Sequence, residues 1–216
     1  LPARTVAPVA PVAPVAQISF SGVYVGLSGG WGQGTFKSDG NDKITANGGL
    51  IGLTVGFNHQ YSNKVVVGVE GDVSWSGMKK TITMTAPNMG GTTISRVTGE
   101  QSLLATFRPR LGYAIGNWMP YLTGGLAVTN SKLGFKDDDY SAGGILIASM
   151  SGSASKTRVG WTVGGGVEVL LTARISAKAE YLYADFGKTR YTFNGMQSDK
   201  IALRDHIIRA GLNYKF

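Results

Sequence analysis

The sequence predicts an all-β chain: an eight-stranded antiparallel up-and-down transmembrane β-barrel, with short turns at one rim and long loops at the other. Three observations carry that expectation. Apolar and polar residues alternate with period two in runs of about ten residues, the length a tilted strand needs to cross a bilayer. The links between runs are short and long by turns, as in barrels whose rims face different compartments. Glycine supplies 32 of 216 residues, which disfavours helix and suits crowded strands and turns.

In the first run Val23, Val25, Leu27 and Trp31 share one face, and Gly22, Gly26, Ser28 and Gly30 the other. The second sets Ile51, Leu53, Val55, Phe57 and Tyr61 against Gly52, Thr54, Gly56, Asn58 and Gln60. The third sets Val65, Val67, Val69, Val73 and Trp75 against Gly68, Glu70, Asp72 and Ser74. The fourth sets Leu103, Ala105, Phe107, Leu111 and Tyr113 against Thr106, Arg108, Arg110 and Gly112. A fifth covers about 118–129. The sixth sets Val159, Trp161, Val163, Val167 and Val169 against Gly160, Thr162, Gly164 and Glu168. The seventh covers about 175–186 and the eighth about 201–216. Short turns are expected near 62–64, 116–117 and 172–174, and long links over 33–48, 77–101, 130–157 and 187–200. An even strand count puts both chain ends on the short-turn, periplasmic rim.

The polar face carries Glu70, Asp72, Arg108, Arg110, Glu168, Lys178, Glu180 and Arg209. A soluble barrel would leave these charges outside. A membrane barrel puts them in the lumen, where they must pair or stay hydrated. Opposed residues of an antiparallel hairpin share a constant index sum. Glu70 with Arg110 and Asp72 with Arg108 centre on Gly90, within Asn88-Met89-Gly90-Gly91. Glu180 with Arg209 centres on Asn194-Gly195, a type I′ dipeptide, and Glu168 with Lys178 on Ala173. These are the expected cross-strand neighbours. Pro109 falls mid-strand and cannot donate to a ladder, which predicts a bulge or one missing hydrogen bond.

Trp31, Trp75, Trp161 and Tyr183 lie toward the outer ends of the runs; Tyr61, Tyr113, Trp118, Tyr214 and Phe216 lie toward the periplasmic ends. Two such belts are expected at the two interfaces. Residues 1–17 stand apart from the barrel at 18–216. Ala7-Pro8-Val9 recurs as a unit through Val15. Such a repeat favours an extended spacer of up to roughly 50 Å, at about 3.1 Å per residue, as a periplasmic leader or tether.

Composition excludes several classes. Without cysteine there is no disulfide framework or thiolate metal site. No run of about 20 apolar residues offers a membrane helix. Mean hydropathy of +0.02 with 43% apolar residues is what strand alternation produces. The net charge of +8 is dispersed and not interleaved with aromatics, which favours anionic lipid phosphates over nucleic acid. No metal site or cofactor is expected. The two histidines, His59 and His206, and Tyr140 beside Asp137-Asp138-Asp139 are the candidates for haem iron. The Asp run could also hold a hard cation, though a solvated loop is the plainer reading. Ser198 and Asp205 flank His206 without forming a catalytic constellation, so no enzyme is expected.

Several segments carry a resemblance: Gly68-Val69-Glu70-Gly71-Asp72, Arg110-Leu111-Gly112-Tyr113, Met119-Pro120-Tyr121-Leu122-Thr123, Gly160-Trp161-Thr162, Ala179-Glu180-Tyr181 and Asn213-Tyr214-Lys215-Phe216. In order and evenly spread from Ser19 to Phe216, they resemble the small outer-membrane barrels of alphaproteobacteria, a family of major surface antigens and haemin-binding proteins often labelled porins. The resemblance implies that Phe216, with Tyr214 and Leu212 at alternate positions, is the signal read by the barrel-assembly machinery. It also implies attachment to peptidoglycan through the N-terminus, as in members that begin Ala-Asp; this chain begins at Leu1.

The expected function is structural: envelope integrity, packing against lipopolysaccharide through Lys79 and Lys80, and a link from outer membrane to cell wall. The alternatives are a narrow channel, and haemin capture or adhesion by the outer loops. Eight strands leave an interior just wide enough for side chains to fill, which weighs against the channel. The oligomeric state is open.

Overall fold

A computed structural model describes residues 19–38, 43–88, 90–190, 192–193, 196–197 and 200–216. The Pro-rich segment 1–17, the Asn194-Gly195 turn, Met89 and Ser198 lie outside the described residues. The chain runs through β1 (Gly22–Ser38), β2 (Lys43–Gln60), β3 (Val65–Asn88), β4 (Gly91–Tyr113), β5 (Trp118–Ser141), β6 (Leu146–Leu170), β7 (Ile175–Thr189), β8 (Thr192–Phe193), β9 (Met196–Gln197) and β10 (Ile201–Lys215). Eight of these form a closed ring in the order β1-β10-β7-β6-β5-β4-β3-β2, while β8 and β9 pair only with each other. Every neighbour in the ring is antiparallel, and β1 closes it on β10 through Tyr24↔Lys215 to Ser38↔Ile201.

Alternation becomes geometry directly, because successive side chains on a strand point to opposite faces. On β2, Leu50, Gly52, Thr54, Gly56 and Asn58 point inward and Ile51, Leu53, Val55 and Phe57 outward. The outward set is solvent-exposed as a rule: Leu27, Ile51, Phe107, Leu122 and Ile208 are each more than half exposed. Among the described residues no second layer covers this outward apolar face.

The short reversals fall where the sequence places them. Tyr61 N–H donates to the Val65 carbonyl around Lys64, which has a positive φ of 69°. Ile115 and Trp118 bridge across Gly116-Asn117, with Gly116 at φ 63°. The Thr172 hydroxyl accepts from the backbone N–H groups of Arg174 and Ile175 in the third.

The outer connections differ from the expectation of loops. Residues 77–101 and 130–157 are mostly strand: β3 and β4 stay paired to Asn88↔Gly91, and β5 and β6 to Tyr140↔Leu146. Since β4 also pairs with β5 as far as Gly91↔Ser141, the four strands β3 to β6 rise together as one sheet. In contrast, β2 and β3 have no ladder pair beyond Asn47↔Lys79, and β6 and β7 none beyond Trp161↔Asp185. The register shifts between Trp75 and Met78 on β3 and between Gln101 and Leu103 on β4, where the four-stranded extension leaves the ring.

Pro109 sits on β4 opposite Val69, and that ladder is unbroken. On the β5 side no ladder pair lies between Phe107↔Leu126 and Arg110↔Thr123, and the register resumes unshifted. The effect is thus missing pairing and not a bulge. Thr123 Oγ1 donates to the Pro109 carbonyl at 2.9 Å and recovers one bond there.

Candidate functional site

The eight charged residues expected in the lumen are all there, each no more than 4% exposed. The ladder places Arg209 opposite Glu180 and Lys178 opposite Glu168. One expectation needs correction. Glu70 faces Arg108, Arg110 faces Gly68 and Asp72 faces Thr106, so the β3–β4 register is two residues from the one that pairs Glu70 with Arg110. The last pair of the hairpin is Asn88↔Gly91, and the shift between Trp75 and Met78 puts one extra residue on β3, so a centre on Gly90 overestimates the sum.

The network forms despite that shift, because arginine reaches diagonally. Arg108 donates to three carboxylates: Glu70 at 2.6 Å, Glu180 at 2.8 Å and Asp72 at 3.0 Å. Arg209 forks onto Asp72 at 2.7 and 3.0 Å and donates its Nε to Glu180 at 2.6 Å. Lys178 spans the lumen to both oxygens of Glu70, at 2.9 and 2.8 Å. Arg110 binds Glu168 at 2.7 Å. Four carboxylates meet four cations, so the layer is neutral.

Sequence reasoning missed the neutral members. Tyr24 donates to Glu70 at 2.8 Å and accepts from Arg110 at 3.0 Å. Tyr121 stacks its ring 4.0 Å from the Arg110 guanidinium carbon. Thr106 donates to Asp72, and Ser176 to Glu168, each at 2.5 Å. The two tyrosines fit because glycines face them across the ladder: Gly56 opposite Tyr24 and Gly166 opposite Tyr121. A Cβ on either glycine would occupy the tyrosine's place. That cross-strand pairing of an inward aromatic with glycine is the signal that would have found them.

The charge layer is held between two apolar ones. Toward the short turns, Phe20, Val66, Ala114, Met119 and Leu170 form a floor. Toward the outer rim, Phe36, Leu50, Met78, Leu104, Leu182, Leu203 and Ile207 form a plug. Within the plug Gln101 donates to Thr129 at 2.8 Å and to Asp205 at 2.6 Å.

On the outer wall, Trp31, Trp75 and Trp161 at the outer level and Tyr61, Tyr113 and Trp118 at the periplasmic level are about half exposed; Tyr183 is half-buried against Trp161. Leu212, Tyr214 and Phe216 all point outward at the end of β10. His206 also faces out, in the outer belt, with its Nδ1 2.6 Å from the Tyr181 hydroxyl. His59 packs edge-on to Tyr61 in the lower belt. The run Asp137-Asp138-Asp139 is strand and not loop, so its carboxylates alternate faces. Asp138 pairs with Arg96 and Lys136, Asp139 accepts from Thr93, and the three do not converge on a cation. Lys79 and Lys80 are both exposed, but they lie on opposite faces of β3. Lys79 faces out and pairs with Glu100 at 3.7 Å; Lys80 sits opposite Gly99 on the inner face.

A closed ring of strands with an apolar wall, two aromatic belts and a charged lumen defines an integral outer-membrane β-barrel. The chain belongs to the family described as "Outer membrane protein beta-barrel domain", which matches residues 4–216. Among its relatives is the 31 kDa outer-membrane immunogenic protein of Brucella melitensis, 35% identical over 99% of this chain and 88% of that one. The 25 kDa outer-membrane immunogenic protein of Brucella abortus is 34% identical over 93% of this chain and 81% of its own length. Among solved structures, neisserial surface protein A superposes with a TM-score of 0.47 at 18% identity, covering 91% of this chain and 98% of that one. The protein is an outer-membrane barrel of the Gram-negative envelope, related to surface antigens, and Ser19, where the described residues begin, lies beside Lys215 at the short-turn rim.

Proposed function

We propose that this barrel is a closed structural element of the outer membrane and neither a channel nor an enzyme. The observation that carries the reading is the layered lumen: an apolar floor, a neutral network of eight buried charges and a mainly apolar plug that also holds buried Gln101, Asp205 and Arg158, stacked across an eight-stranded ring. An ion crossing it would have to break bonds such as Arg108–Glu70 and displace close-packed side chains. In planar bilayers the purified barrel is expected to give no steady openings above background; steady openings would overturn the reading.

The wall and rim support three partnerships within it. The outward basic residues above the Trp75 level suit packing against lipopolysaccharide, with Lys79 and not Lys80 on the facing side. Phe216 with Tyr214 and Leu212 suits recognition by the barrel-assembly machinery. The Pro-rich residues 1–17 suit a reach to peptidoglycan, so barrels released by muramidase should carry a muropeptide mass, and a bare chain removes that link. Haemin capture has weaker support, since His59 and His206 both lie in the aromatic belts of the outer wall.

A further inference from the structure

The outward face of β3 to β5 changes character at Trp75. Below it lies an apolar groove of about 710 Å³ walled by Leu53, Trp75, Phe107 and Leu126, with Gly71 and Ala105 on its floor. Above it, on the same strands, lies an open cleft of about 620 Å³ lined by Lys79, Thr81, Arg96, Thr98, Lys132 and Lys136.

The glycine on the floor of the groove faces outward and, like Gly29, Gly49 and Gly77, is uncrowded, unlike the inward glycines. A Cβ on inward Gly52, Gly56 or Gly68 would run into Ser74, Tyr24 or Asn58. A Cβ on Gly71 would meet nothing nearer than 3.9 Å, so packing does not demand glycine there. Its effect is to leave a depression between the larger side chains of Leu53, Trp75, Phe107 and Leu126.

The cleft above is cationic and rich in hydroxyls. On the outward face of the extension, Lys79, Arg96, Lys132 and Lys136 stand against two carboxylates, Glu100 and Asp138. Asp138 is already engaged by Arg96 and Lys136. Glu100 lies in the ladder between Lys79 and Lys132; its bond to Lys79 is long and exposed, and Lys132 forms no ion pair among the described residues. Thr81 and Thr98 hydrogen-bond each other at 2.9 Å across the same row, with Ser153 beside them on β6. Four residues at about 3.3 Å each on a strand tilted about 45° put Lys79 roughly 9 Å above Trp75, just past the interface that tryptophan marks.

We propose that this face is a seat for one phosphorylated, multiply acylated lipid of the outer leaflet. Its phosphate lies between Lys79 and Lys132 with Arg96 beyond, its sugar or glycerol hydroxyls meet the Thr81–Thr98–Ser153 row, and one acyl chain fills the Gly71–Ala105 groove. Charge complementarity selects the phosphate, and the apolar groove below the cleft selects an amphiphile over a free anion. The seat deepens the lipopolysaccharide packing proposed above and does not depend on whether the lumen conducts.

Native mass spectrometry of the full chain, released from mixed micelles, tests it. The probes are hexa-acylated diphosphoryl lipid A, its dephosphorylated form and inorganic phosphate. Lipid A should remain as a single adduct on the wild type; the dephosphorylated lipid should be retained at least tenfold less, and inorganic phosphate not at all. Lys79→Glu with Lys132→Glu, and separately Gly71→Phe, should each cut lipid A retention at least tenfold while heat-modifiable migration stays unchanged. Gly71→Phe has room for its side chain, so loss of retention there does not reduce to misfolding. Equal retention of inorganic phosphate, or retention indifferent to both variants, overturns the seat. Conductance of the same variants stays at background, so the seat can fail while the closed barrel stands.

Discussion

Below the outer belt, β3 and β4 turn Val69, Val73 and Phe107 outward and Glu70, Asp72 and Arg108 inward. Above it, the same two strands turn Lys79, Thr81 and Glu100 outward and Ile82 and Val97 inward, level with Phe135 of β5. The alternation persists while its polarity inverts. The inversion falls at the register shifts between Trp75 and Met78 and between Gln101 and Leu103; β3 keeps its odd residues outward, from Trp75 to Lys79, while the outward set of β4 passes from Leu103 to Glu100. One ladder thus serves two solvents: hydrocarbon selects an apolar exterior below, and water with lipid headgroups selects a polar one above.

The largest effect should come from the embedded half. Arg108→Ala removes the group that joins Glu70, Asp72 and Glu180. It leaves buried carboxylates uncompensated, at a cost of about 3–5 kcal/mol. Urea unfolding in detergent micelles, followed by heat-modifiable migration, measures it. A loss below about 1 kcal/mol would mean that the network is hydrated and not closed.

Next comes the inversion itself. Val69→Arg puts a charge on the lipid face near mid-barrel, where it should cost about 2–4 kcal/mol. Thr83→Arg makes the same kind of change on the outward face of the extension and should stay within about 0.5 kcal/mol. Equal costs for the two would place both positions in one environment and erase the comparison.

The smallest effect belongs to Asp138. Hydrogen bonds from Ser149, Lys136 and Arg96 hold its carboxyl down to about 2, below the usual 3.8. A carboxyl lowered in the folded state stabilises above its unfolded value. That contribution fades as pH falls from about 3.8 through about 2. The Asp138 carboxyl carbon should titrate with a midpoint near 2 by NMR, and Asp138→Asn should loosen only the β4–β6 extension. A midpoint near 3.8 would detach Asp138 from Arg96 and Lys136.

What the sequence made legible follows this division. In the embedded half the contrast between Val or Leu and Gly, Glu or Arg is strong, so strand count, faces and the inward charges could all be read. In the extension, Thr81, Thr83 and Thr85 alternate with Ile82, Met84 and Ala86, and β6 there is rich in serine. The contrast is weaker, and strand passes for loop. Register is a separate matter. Residue chemistry says that Arg108 and Arg110 need acids, but the distance to each partner depends on the turn and on one extra residue at Ser76-Gly77. Tyr24 and Tyr121 were hidden because glycine-rich faces draw attention to what is missing from them and not to what fills them.

Closure of the lumen is tested most directly by accessibility, and the absence of cysteine from the chain makes the test clean. Ser74→Cys places a thiol on the inward face beside the charge layer, where Ser74 is 3% exposed, and Thr81→Cys places one on the exposed face of the extension. With a membrane-impermeant maleimide, Thr81→Cys should react within minutes and Ser74→Cys only after unfolding. Modification of Ser74→Cys in the folded barrel at the rate of Thr81→Cys would contradict a closed lumen.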